Sequence, residues 1–175
     1  MVFFIYLCTI KIRGTKNNKI MYAREYKISN DNPQVRLNKF SGTYYKMFME
    51  CGTNYENRNK VGQKVLDYLC DKFGIERVKL SVYNTPQLHH DWPNGLMKDK
   101  TLGRYLVGRN KIEMWNLTAK AKKEVASKTF WETLLHEFMH HYDYKVLKMG
   151  KSLHCTGFYK RISDLKTKMN NADVE

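Results

Sequence analysis

The chain has 175 residues and 42% hydrophobic content, which fits one domain large enough to bury a core without a metal or disulfide to hold it folded. A formal charge of +14 invites a polyanion, so nucleic acid at a basic surface is one expected partner, although a surplus of Lys and Asn gives the same excess with no function attached. Four cysteines with no C-x-x-C pair argue against a zinc ribbon or a disulfide scaffold, and fit an intracellular, cytoplasmic or nuclear-type, reducing compartment.

In chain order, the apolar run from Val2 to Ile10 is too short to span a bilayer and poorly formed as a signal peptide, so no membrane association is expected. It reads as a buried strand, or as sequence upstream of a natural start at Met21. Residues 1–35 are accordingly expected to be an N-terminal extension, flexible or partly non-native, and residues 36–175 the domain. The "DNP" at 31–33 marks a turn, whereas "TYYKMFME" fits either a strand or a helix.

From Asn57 the pattern sharpens. Val61, Val65, Leu69 and Phe73 recur every four residues and Gly74 stands where a helix would stop. "RVKLSVYN" alternates Val78, Leu80 and Val82 against polar residues, the period of a half-buried strand. "TPQLHHDWPNG" reads as a loop. "LGRYLV" and "KIEMWNL" form two strands about a tight turn at Gly108, Arg109 and Asn110. A helix is expected from Ser127, as its cap, to about Met149, ended by Gly150. Thr156 caps a last helix with Phe158, Ile162, Leu165 and Met169 on one face. The fold class is α+β: an N-terminal helix, a short three-stranded sheet, a long helix and a C-terminal helix.

The long helix contains "HEFMH" at 136–140. Helical steps of about 100° put His136, His140, Asp143 and Leu147 on one stripe, so both imidazoles face one point. Trp131, Leu134, Leu135, Phe138, Met139, Tyr142 and Val146 gather on the neighbouring face, and Glu137 lies on the side away from them. Two histidines one turn apart with a glutamate beside the first fit the H-E-x-x-H zinc site, where the glutamate stays free to handle a proton. The competing reading is a helix whose histidines line a polar face without metal.

Catalytic zinc needs three protein ligands and one open position. The acids after Asp143 are Asp164, Asp173 and the terminal Glu175, none placed for a thermolysin-like third ligand. The metzincin pattern fails, because Asp143 and Val146 stand where it needs Gly and His. His154 remains, just past the break at Gly150, against the alternative of a solvated loop histidine. Asp143 has a short reach and reads as an acceptor behind the ligands or a surface charge. His89, His90 and His141 read as solvent-facing or core polar residues, and Cys155, although next to His154, as a small buried apolar one.

"LLHEFMHHYDY" followed by "SLHCTGFYKRI" resembles the SprT-like (Spartan-type) metallopeptidase domain over about residues 57–169. The resemblance implies His136, His140 and His154 as zinc ligands, Glu137 as catalytic acid/base, and a small zincin-like core. It also implies a strand ahead of the active helix that pairs with an extended peptide substrate, for which Lys111–Leu117 is the candidate. The cysteine-rich ribbon of many family members is missing from this sequence, which leaves DNA-linked targeting unsupported.

The resulting expectation is a zinc metalloendopeptidase that acts on protein or peptide through activated water, with Tyr105, Tyr142 or Tyr144 as a stabiliser of the oxyanion. The alternative is a basic nucleic-acid-binding protein whose zinc is structural or vestigial.

Overall fold

The computed structural model describes residues 16–91, 93–94 and 97–173, so the apolar run at 2–10 lies outside the described residues. Three helices come first: α1 (Lys16–Asp31), α2 (Thr43–Glu50) and α3 (Tyr55–Phe73). Five strands follow: β1 (Lys79–Pro86), β2 (Leu88–Asp91), β3 (Met97–Thr101), β4 (Gly103–Leu106) and β5 (Lys111–Leu117). The chain ends in α4 (Ser127–Lys145) and α5 (Thr156–Asn170). The architecture is α+β, as the sequence predicts.

One sheet has the order β1-β5-β4, with β5 parallel to β1 and antiparallel to β4. The expected turn between β4 and β5 is a short 3-10 segment closed by Asn110 at φ 42°, a left-handed conformation that asparagine tolerates. The expected loop at 85–95 instead holds β2, which pairs antiparallel with β3 beyond it. Every β2 side chain is exposed, so the apolar alternation that marks a half-buried strand is missing there.

Helices α3 and α4 cover the sheet. Leu80, Ile112 and Met114 share one buried cluster with Val65, Leu69, Leu134, Leu135 and Phe138. The α3 boundaries follow from its ends: the Asn54 side chain accepts from the Glu56 and Asn57 amides, and Gly74 turns left-handed at φ 62°. Ser127 does not cap α4; Ala126 precedes the helix, and the Ser127 hydroxyl accepts from Arg58 at 3.2 Å. Helix α4 also ends at Lys145 rather than Met149, because Lys148 reverses the chain at φ 53° before Gly150 is reached. Thr156 opens α5 without capping it, the preceding position being Cys155.

In the N-terminal third one open reading is decided and one expectation is corrected. "TYYKMFME" is the helix α2, with Phe48 buried among Phe130 and Trp131. The expected extension at 1–35 does not describe residues 22–35. Glu25 and Ser29 on α1 are completely buried, and Val35 joins the core. A sequence scan misses this because the buried groups among the described α1 side chains, Glu25 and Ser29, are polar rather than apolar. Among the described residues no helix is long and apolar enough to cross a membrane.

Candidate metal centre

His136 and His140 project from successive turns of α4, and the chain reversal at Lys148 brings His154 back to meet them. The His154 Nε2 lies 3.0 Å from His136 Nε2 and 3.0 Å from His140 Nε2. Zinc–nitrogen bonds of about 2.0–2.1 Å in a tetrahedron give a nitrogen–nitrogen edge of roughly 3.3–3.4 Å. The three imidazoles are therefore spaced to share one cation, and the group of His136, His140 and His154 can hold a metal ion.

Burial sets the protonation of these rings. It lowers the His136 pKa to about 4, lowers His140 well below the usual imidazole value with help from the two neighbouring rings, and lowers His154 as well. Neutral imidazoles are the form that ligates a metal. Phe158, fully buried on α5, lies under all three rings at 4.7–5.1 Å between centroids. It excludes water from the inner side of the cluster. Tyr159 flanks the outer side, 6.4 Å from His136 and 6.1 Å from His154 between centroids.

Behind His140 stands a chain of polar contacts. His140 Nδ1 lies 2.8 Å from Ser152 Oγ, and Ser152 donates to Asp143 Oδ2 at 2.7 Å. Asp143 pairs with Arg161 at 2.9 Å, both side chains being fully buried. Burial pushes the Asp143 carboxyl up to about 6, against the opposing pull of Arg161 and Ser152. Asp143 is thus a buried acceptor behind Ser152 and His140 rather than a surface charge.

Glu137 is only 6% exposed, although the helical wheel turns it away from the apolar face of α4. The reason is β4, which crosses α4 there and hydrogen-bonds the Glu137 carboxylate through the Tyr105 backbone amide. Burial pushes the Glu137 carboxyl up to about 8. A carboxyl that changes protonation near neutral pH is suited to general acid/base work.

The expected strand for peptide pairing needs correction. β5 lies between β1 and β4, so neither of its edges is free, and β4 forms the outer edge beside α4. Two of the three tyrosines considered for the oxyanion are turned elsewhere. The Tyr105 hydroxyl meets His141 Nδ1 at 3.0 Å and the Tyr142 hydroxyl accepts from the Arg36 amide at 3.1 Å. The Tyr144 ring lies tilted against Tyr105, 6.0 Å between centroids. His141 is fully buried, with its Nε2 2.7 Å from the Glu76 carbonyl, while His89 and His90 lie exposed on β2. Cys155 donates its thiol hydrogen to Ser29 at 3.0 Å and is not among the converging donors.

Sequence reading missed Ser152, Arg161 and Tyr159 at this site. A signal existed for Arg161, which falls three residues after Phe158 on the buried stripe of α5. No family model, curated protein or solved structure matches this chain, so the site is read from its own geometry.

Proposed function

We propose that this protein is a zinc-dependent peptidase of the SprT-like kind, holding zinc through His136, His140 and His154 and using Glu137 as its acid/base. The observation that carries the reading is the convergence of three Nε2 atoms, two of the gaps being 3.0 Å, with two of the three rings on the helix that also presents Glu137. Neutral imidazole nitrogens at that spacing favour a shared cation over mutual hydrogen bonding, because the one nitrogen of His154 faces two others.

Zinc held there supplies Lewis acidity to a water molecule and to a scissile carbonyl. The chain's own groups do the rest. Glu137 takes the proton from the attacking water and returns it to the leaving amine nitrogen, a two-way transfer suited to a carboxyl raised to about 8 and then drawn down by a nearby cation. Phe158 keeps the inner side of the histidine cluster dry. An extended peptide adds to the outer edge of β4, where backbone groups supply affinity without demanding a sequence.

The test is metal content and cleavage of an unfolded protein substrate, measured on wild type, Glu137→Gln and His154→Ala. Wild type is expected to carry zinc and cleave, Glu137→Gln to carry zinc without cleaving, and His154→Ala to lose both. Unaltered cleavage by Glu137→Gln overturns the reading.

A further inference from the structure

The buried contacts behind His140 reach from the metal centre to α1. Arg161 donates from Nη1 to the Ser29 and Asn32 carbonyls, each at 2.6 Å, and from Nη2 to the Ser29 hydroxyl at 2.9 Å. These carbonyls lie at the C-terminal end of α1, where helical oxygens lack intrahelical partners and the helix dipole favours a cation. The same guanidinium lies 2.9 Å from Asp143 Oδ1 and 3.1 Å from Oδ2. A fully buried guanidinium against a fully buried carboxyl holds that carboxyl as the anion.

The charge fixes the direction of the next two bonds. Ser152 has a single hydroxyl hydrogen, and an anionic Asp143 at 2.7 Å can only accept it. The serine oxygen is then left as an acceptor toward His140 Nδ1 at 2.8 Å, so that nitrogen carries the ring hydrogen. His140 therefore presents Nε2 as a bare lone pair toward His154 and His136. The opposite tautomer would leave the serine without a hydrogen for Asp143 or the histidine without a donor for the serine.

We infer that Ser152 is a positioning residue for the metal centre: with Asp143, Arg161 and the end of α1 behind it, it locks His140 in the Nδ1-protonated, Nε2-ligating form. The inference rests on the zinc-site reading for its consequence, but the tautomer belongs to the metal-free chain and can be read there. It also gives α1 a function. The helix holds the arginine that holds the aspartate, so a segment expected as an appendage forms the outermost support of a metal ligand.

The experiment compares wild type, Ser152→Ala and Ser152→Thr by zinc affinity in chelator competition and by nitrogen-15 NMR of the histidine rings in the metal-free protein. Wild type is expected to show one Nδ1–H form at His140. Ser152→Ala is expected to show a tautomer mixture and zinc affinity weaker by roughly 10- to 100-fold, the usual effect of losing a partner behind a ligand. Ser152→Thr keeps the hydroxyl and restores both. Weakened affinity with an unchanged tautomer overturns the inference, since packing alone would then account for it, as does unchanged affinity with one tautomer. A wild type that takes up no zinc overturns the zinc-peptidase reading instead, and the tautomer still decides the role of Ser152.

Discussion

Gly103 on β4 leaves the space that the Glu137 side chain occupies: a methyl group there would lie 2.9 Å from Glu137 Cγ and 2.9 Å from Thr133 Cγ2. Contacts that short force one partner to move, and the glutamate is the flexible one. Gly103→Ala is therefore expected to lower kcat by roughly 10- to 100-fold through misplacement of the base. The atoms nearest that methyl group belong to Glu137 and Thr133 and none to a histidine, so zinc content is expected to stay at the wild-type level. Undiminished kcat in this variant would show that Glu137 is not held by β4.

On the proposed zinc-site reading, uptake of zinc is expected to carry an unusual proton signature. At neutral pH the imidazoles are already neutral, with His136 lowered to about 4, whereas burial holds the Glu137 carboxyl at about 8 and thus protonated. A cation arriving beside Glu137 favours its anion and expels that proton. About one proton per zinc is expected to be released from about pH 5 to 7, fading above about pH 8 as Glu137 ionises unaided. Ordinary histidines near 6.5 would instead release more protons as the pH falls. Calorimetry in buffers of different ionisation enthalpy reads the number, and Glu137→Gln should reduce it by about one. Release that rises steadily toward acid would contradict the lowered imidazole values.

Arg58 on α3 is fully buried and ties the segment entering α4. It donates to Asn116 Oδ1 at 2.7 Å and to the Val125 carbonyl at 2.6 Å, and lies over the Phe130 ring at 4.7 Å. Arg58→Met fills most of the volume but leaves these acceptors without donors. The expected loss is about 2–4 kcal/mol of unfolding free energy. Chemical denaturation of the metal-free protein reads it, and a midpoint equal to wild type would mean that the acceptors find water instead.

The sequence made the three converging histidines legible because their signal is local: H-E-x-x-H fixes two rings by helix geometry alone, and His154 follows closely in the chain. The helices α3, α4 and α5 were legible through apolar periodicity, although the buried stripe of α3 is turned to include Arg58 and Gly62, leaving Val61 and Phe73 half-buried. What escaped depends on contacts distant in sequence. Glu137 is buried by β4, and Arg161 is satisfied by carbonyls of α1. An arginine on an apolar stripe announces such a partner without naming it. The place of β5 in the middle of the sheet was hidden for the same reason, since strand order follows from a parallel pairing with β1 across the chain.

Gly157 joins α5 to α1 at a backbone contact too close for a side chain. A methyl group at Gly157 would overlap the Ser29 carbonyl and lie 2.8 Å from Asn30 Cα. The Gly157 amide also donates to Asn30 Oδ1 at 2.7 Å. Both sides are main chain, so neither can swing aside as a side chain can, and Gly157→Ala must part the two helices. The expected cost is about 2–4 kcal/mol, in the range of overpacked core substitutions. Parting them also takes the Ser29 and Asn32 carbonyls away from Arg161, so Asp143 loses the fixed guanidinium that holds it toward Ser152. Thermal unfolding should therefore shift down together with faster hydrogen exchange of the α1 amides, and zinc affinity should fall even where the rest of the fold is kept. Wild-type exchange at α1 in this variant would mean that the helix does not rest on α5 as described.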